Sequence, residues 1–142
     1  MLDKSSRRAY LVATTKYKEV GHGELRGWLL VANCYTKETQ LLQDSNYIKH
    51  FMRNLVLGVG LTPVKDTLVV ATFPIPEAKN QVGVSATIIL VESHAGIHTW
   101  PELEYARIEL SSCAHVKKED FESIIKAFFV PYKLEVEAFE WD

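Results

Sequence analysis

Within ILVESHAGIHTW, residues 89–100, a carboxylate (Glu92), a hydroxyl (Ser93) and two imidazoles (His94, His98) follow directly on an aliphatic run. Such a set is open to more than one chemistry. His94 and His98 stand four apart, a spacing that gives two metal ligands one face when the segment is helical. Gly96, Pro101 and the β-branched neighbours oppose a helix here, and no third ligand is close in sequence. No metal site is therefore expected. A serine nucleophile is the next candidate, but Ser93 sits in VESHA and lacks the Gly-x-Ser-x-Gly elbow of the α/β-hydrolases. The plainest alternative is a polar hairpin whose histidines only make hydrogen bonds. Cys113, twenty positions after Ser93, is by itself more readily a small buried hydrophobe than a catalyst.

The flanking segments say what must position these groups. GWLLVANCY (27–35) reads as a buried strand. DSNYIKHFMRNLVLGVG reads as a helix, capped by Asp44 or Ser45, with Ile48, Phe51, Met52, Leu55 and Val56 at helical spacing and Gly58 or Gly60 ending it. Strands follow at 66–73 and, after the loop PIPEAKNQ, at 84–93. If 84–93 runs as one strand, the even spacing sets Ser85, Thr87 and Ser93 on one side of the sheet. Residues 104–113 alternate Ala106, Ile108 and Leu110 against Tyr105, Arg107 and Glu109, a strand with one buried face. KKEDFESIIKAFF presents Phe121, Ile124, Ile125 and Phe128 along one helical stripe, stopped by Pro131, and KLEVEAFEW alternates as a last strand. Residues 1–23 read as an N-terminal extension holding a short β-prone piece, Ala9 to Thr15. The expected fold is α+β: a two-layer sandwich, one antiparallel sheet with two helices packed on one face, in a single domain spanning 1–142. An apolar second face would be covered most simply by a homodimer.

Bulk properties narrow the function classes. With 142 residues and 47% hydrophobic content the chain can bury a core. Sixteen basic residues against eighteen acidic ones, well mixed, offer no basic surface for nucleic acid or anionic membrane. No apolar run approaches the roughly 20 residues of a membrane span, and no secretory signal is visible at the start. A soluble, cytoplasmic protein with a small-molecule partner is expected. Cys34 and Cys113 are far apart and outside any CxxC pattern, so neither is expected in a disulfide framework or zinc site.

The run GVSATIILVESHAGIHTWPELEYARIELSSC, residues 83–113, resembles the core of the small prokaryotic S-adenosylmethionine decarboxylases. Their pattern is Gly-Val-Ser, an aliphatic strand, Glu-Ser-His, then Ile-His-Thr-Trp-Pro-Glu and a later Cys. The resemblance implies a proenzyme that cuts itself between Glu92 and Ser93. Ser93 Oγ would attack the preceding carbonyl, an N-to-O acyl shift would follow, and β-elimination would leave a pyruvoyl group at position 93. That pyruvoyl cofactor would take up the substrate amine as a Schiff base and act as the electron sink for loss of CO₂. By the same resemblance Ser85 and His98 assist processing and proton transfer, Cys113 reprotonates the product, and Glu102 binds ribose hydroxyls, with Trp100 packing near the site. It further implies a dimer with active sites near the subunit interface, serving polyamine (spermidine) synthesis.

Two positions depart from the family. Lys79 stands where the family carries an aromatic for stacking on adenine, with Phe73 the nearest ring to replace it. Trp28 stands near where the family often has a histidine. The loss at Lys79 keeps one alternative open, a pyruvoyl-dependent ornithine or arginine decarboxylase of the same family, and a non-catalytic homologue is a separate one.

Overall fold

Alternation of burial along the strands shows which side of the sheet carries the core. The computed structural model describes residues 27–141. The β-prone piece at Ala9 to Thr15 lies outside them. Strand β1 (Gly27–Tyr35) pairs antiparallel with both β5 (Tyr105–Ser112) and β6 (Lys133–Trp141). Its even-numbered residues Trp28, Leu30, Ala32 and Cys34 are buried, opposite Ser112, Leu110, Ile108 and Ala106 of β5. Strands β2 (Val69–Pro74), β3 (Val82–Leu90) and β4 (Ser93–Trp100) complete a six-stranded antiparallel sheet in the order β2-β3-β4-β5-β1-β6. Val84, Ala86, Ile88 and Leu90 of β3 and Ala95, Ile97 and Thr99 of β4 continue the buried face.

Two helices cover that face. Helix α1 (Ser45–Gly58) starts where Asp44 accepts hydrogen bonds from the Asn46 and Tyr47 N–H groups at 3.0 and 3.1 Å, satisfying two amides that have no partner inside the helix. Ile48, Phe51, Met52, Leu55 and Val56 form its buried stripe. Helix α2 (Lys118–Phe129) buries Phe121, Ile125 and Phe129, and the Phe129 ring meets Phe51 edge-on at 4.8 Å. Ile124 and Phe128, expected in the same stripe, pack partly buried at its margin. The fold is the expected α+β sandwich, with both helices on one face.

Thr99 is one of few buried polar groups, and it is satisfied: its hydroxyl donates to the Leu42 carbonyl at 2.7 Å and accepts the Val84 N–H at 2.9 Å. It thereby ties β3 and β4 to the short 3-10 turn Leu41–Gln43 that leads into α1. Among the described residues the sheet's other face carries no helix, and Tyr35, Ser85, His98, Trp100 and Tyr105 on it are half-buried side chains on a largely polar and aromatic surface.

The expected strand 84–93 differs from what is found. β3 ends at Leu90, the chain turns through Val91 and Glu92, and β4 returns from Ser93. Ser93 stands opposite Leu90 and Ser112, in register with the helix-covered face, whereas Ser85 stands opposite His98 in register with the open face. The even separation of Ser85 and Ser93 therefore does not give them one face: a two-residue reversal resets the alternation that a continuous strand would keep.

Candidate active site

Two groups of candidate side chains emerge, one at each end of the β3–β4 hairpin. The first surrounds its turn. Ser93 is half-buried; its Oγ donates to Ser111 Oγ at 3.1 Å and lies 3.1 Å from His94 Nδ1. The carbonyl oxygen of Glu92, immediately before it, accepts the Cys113 N–H at 3.0 Å. An N–H aimed at that oxygen is the donor an oxyanion on the same carbon would need. The Glu92 carboxylate is held by Thr62, from N–H to Oε1 at 2.9 Å and from Oγ to Oε2 at 3.0 Å.

Cys113 follows the last residue of β5, half-buried beside this turn. Burial raises its thiol above the ordinary value, the nearby Glu92 charge adds to the rise, and a hydrogen bond from its own backbone opposes it. The thiol is therefore protonated at neutral pH, not poised near neutrality, a state suited to giving up a proton rather than attacking as thiolate. Cys34 lies in the core, where burial pushes its pKa up to about 12, and it is inert by comparison.

The second group lies on the open face. Ser85 on β3 and His98 on β4 are direct cross-strand partners, and Arg107 on β5 is the next neighbour. Together with Thr87, Gly96, Trp100 and Glu109 they line a cavity of about 310 Å³. The His98 ring is bracketed by aromatic groups. Phe73 from β2 stacks on it at 5.1 Å and 21°, and Trp100 lies 4.2 Å away at 55°. Trp100 in turn stacks on Tyr105 at 5.1 Å. Burial lowers the His98 pKa from its ordinary value and the Glu102 charge pulls the other way, so the ring is neutral at pH 7. Phe73 can lie here because it is paired with Gly83, whose missing Cβ would come within 2.4 Å of its ring.

Glu102 sits in the 3-10 turn Pro101–Leu103 after β4, with Oε2 buried and unpartnered among the described residues. A buried acceptor of this kind takes its donor from outside the described residues, and a ligand hydroxyl is one such donor. Lys79 is exposed in the β2–β3 loop and does not line the cavity. Trp28 is buried on the helix side, edge-on to His115 at 5.4 Å. His94 and His98 share a strand face but stand four residues apart, about 13 Å at strand rise, too far for one metal ion. Among the described residues no three His, Cys, Asp or Glu side chains gather in a metal-binding group. A larger hollow of about 510 Å³ beside α1 is lined by apolar side chains such as Leu57, Val64 and Leu68 together with the exposed charges Arg53, Lys65 and Asp66, and by no nucleophile or histidine.

Sequence reasoning passed over Thr62, Ser111 and Arg107. Each reaches the site through strand register or chain reversal, and none belongs to a local motif that could have flagged it.

An α+β sandwich whose hairpin turn sets a half-buried serine beside a half-buried cysteine, with a ring-stacked histidine toward the hairpin's other end, holds its candidate groups on strands rather than in a cofactor-binding cleft of the α/β kind. The chain belongs to the S-adenosylmethionine decarboxylase family, whose sequence model matches residues 28–140. It is 38% identical over 100 residues to the S-adenosylmethionine decarboxylase proenzyme of a Methanococcus maripaludis strain, covering 70% of this chain and 75% of that one. The proenzyme of Methanococcus vannielii is 36% identical over the same shares of the two chains. In solved structures, the adenosylmethionine decarboxylase of Aquifex aeolicus aligns over 82% of this chain and 90% of its own with a TM-score of 0.65, and at 19% identity it supports the fold. Among the described residues no helix is long and apolar enough to cross a membrane.

Proposed function

We propose that this chain is a self-processing decarboxylase that acts on S-adenosylmethionine, through a pyruvoyl group formed at Ser93, in polyamine synthesis. The observation that carries the reading is the Cys113 N–H on the carbonyl of the Glu92–Ser93 bond, in a chain whose relatives are described as proenzymes. Ser93 Oγ adds to that carbonyl carbon, its proton passes to a neighbouring base, and the peptide nitrogen leaves as an amine, giving an ester. Loss of the Ser93 α-proton expels residues 1–92 as a carboxylate. Addition of water then releases ammonia and leaves the pyruvoyl end of residues 93–142.

The pyruvoyl carbonyl supplies an electron sink for the carboxyl carbon's bonding pair. The chain's own groups do the rest. Cys113, protonated because burial raises its pKa, gives a proton to the product carbon. His98 and Ser85 hold and move the proton needed in processing. Glu102 accepts hydrogen bonds from vicinal ribose hydroxyls with its unpartnered oxygen, and Trp100 walls the site. Phe73, rather than Lys79, offers a ring for the adenine. Family membership and the Glu102 acceptor both favour the nucleoside substrate over ornithine or arginine.

Ser93 and His98 are five residues apart on one extended strand, about 16 Å, and in register with opposite faces. A single protomer therefore keeps its turn group and its histidine group apart. A homodimer that sets the open face of one protomer against the β3–β4 turn of its partner would let Ser85, His98 and Glu102 of the one complete the Ser93 and Cys113 site of the other. The complementation test is direct. Co-expressed Ser93→Ala and His98→Ala chains should form mixed dimers with one intact site each, recovering about half of the wild-type activity per dimer. No recovery in purified mixed dimers would mean that each protomer builds its own site. Carboxyl-labelled S-adenosylmethionine should release CO₂, and release from ornithine or arginine alone would overturn the substrate. A denaturing mass spectrum should show two fragments divided before position 93.

A further inference from the structure

The turn that carries Glu92 and Ser93 is braced from outside by a segment no motif predicts. Helix α1 ends at Gly58, and the chain reverses through Gly60, whose φ of 87° lies in the left-handed region open to glycine. The Leu61 N–H closes back on the Val56 carbonyl at 2.8 Å, and the Leu61 side chain is buried. That anchor delivers residues 62–64 alongside the hairpin turn. Pro63 bridges to Leu90, and the Val64 N–H donates to the Ile89 carbonyl at 2.9 Å.

Thr62 makes three contacts with the turn itself. Its carbonyl accepts the Val91 N–H at 2.9 Å. Its own N–H and hydroxyl donate to the two oxygens of the Glu92 carboxylate at 2.9 and 3.0 Å. Charge-assisted bonds to both carboxylate oxygens fix the side chain in direction as well as position. On the opposite side of the same residue, the Glu92 carbonyl is held by Cys113 N–H. Glu92 is thus gripped at its side chain, at the amide before it and at its carbonyl, leaving little freedom in the peptide plane that joins it to Ser93.

We infer that Thr62 is a positioning residue for self-cleavage: through the Glu92 carboxylate and the Val91 amide it orients the Glu92 carbonyl toward Ser93 Oγ. The inference rests on the proposed break between Glu92 and Ser93. Attack on a carbonyl is sensitive to the approach of the nucleophile, and a loosened turn spends less time in the reactive geometry. The hydroxyl is the part of the device that a substitution can remove without disturbing the backbone bonds.

Full-length chains made by pulse-labelled cell-free synthesis would be followed in time for conversion into the two fragments. Thr62→Val, which keeps both backbone bonds and the side-chain volume, should slow cleavage by about five-fold, and Thr62→Ser should restore the wild-type rate. Thr67→Val is the matched comparison. It removes a hydroxyl that accepts the Ile89 N–H at 3.1 Å on the same hairpin but does not touch Glu92, and it should cut at close to the wild-type rate. Equal rates for Thr62→Val and wild type, or equal slowing by Thr67→Val, would overturn the role of Thr62 while leaving the cleavage itself intact. A wild-type chain that never divides would overturn the proposed processing and this inference with it.

Discussion

The two ends of the β3–β4 hairpin are built on different principles. At the turn, the residues around the Glu92–Ser93 bond are held mostly by main-chain groups: Cys113 N–H, Thr62 N–H and the Thr62 carbonyl. At the far end, Ser85 and His98 are held by side chains, with Phe73 and Trp100 against the imidazole and Gly83 leaving room for the phenyl ring. A backbone-held site fixes where one bond lies. A ring-held site tunes the protonation of a group and can admit a ligand between its walls. The first suits fixing the bond proposed to break, and the second suits moving a proton and admitting a ligand.

Ser93→Ala tests the turn most severely. It removes the nucleophile and the source of the pyruvoyl end together, so neither cleavage products nor CO₂ should be detectable. Any division of this variant at position 93 would break the comparison at its root. Cys113→Ala separates the two reactions carried by the same turn. The backbone N–H on the Glu92 carbonyl survives the substitution, so cleavage should continue, whereas loss of the thiol should lower decarboxylation by about 10²- to 10⁴-fold, the usual span for a general acid. Failure of cleavage in both variants would show that the side chain of Cys113, and not its amide, serves the processing step.

Phe73→Leu addresses the other end. With the stacked ring gone, water reaches the imidazole and the pKa of His98, lowered chiefly by burial, should rise toward its ordinary value near 6.5. Glu102 already pulls it upward, and Arg107 opposite His98 and Glu109 in the same cavity are the other charges that face the site. The sign follows. A group needed neutral loses function as pH falls through its folded pKa, so the acid limb of the wild-type rate lies below pH 6.5 and the variant's limb moves up toward it. An NMR titration of the His98 ring in both proteins would show the shift directly, and an unchanged midpoint would remove Phe73 from that role.

The same contrast governs what could be read in advance. The strands 27–35 and 133–141, the capped helix after Asp44 and the second amphipathic helix all follow from local periodicity, and each is found where expected. The run 84–93 misled because VES is as compatible with a strand end as with a turn, and the tight reversal at Val91 and Glu92 carries neither Gly nor Pro to announce it. Parity then failed for Ser93 although it held between Ser85 and Thr87. Motif resemblance reached Ser85, Glu92, Ser93, His98, Glu102 and Cys113 because they lie on one stretch of about thirty residues. Thr62 could not be reached that way, and Phe73 only as a ring to replace the aromatic missing at Lys79. They meet the site only after α1 and the β2–β3 pairing bring distant segments together.

The smallest expected effect comes from Asp44→Ala, which lies outside both ends. It removes two hydrogen bonds that cap α1 and should cost about 1 kcal/mol, or a fall of roughly 3–6 °C in Tm. Helix α1 packs behind the sheet and also launches the Gly60 reversal, so a loss of cap strength tests whether general stability is coupled to either reaction. If the turn is held locally, by Thr62 and Cys113, cleavage time courses below the unfolding transition should match wild type, and turnover should as well. A cleavage defect in step with the Tm change would mean that the turn's geometry is inherited from the helix as a whole, and the distinction between a locally held bond and a ring-tuned histidine would then have to be redrawn around α1.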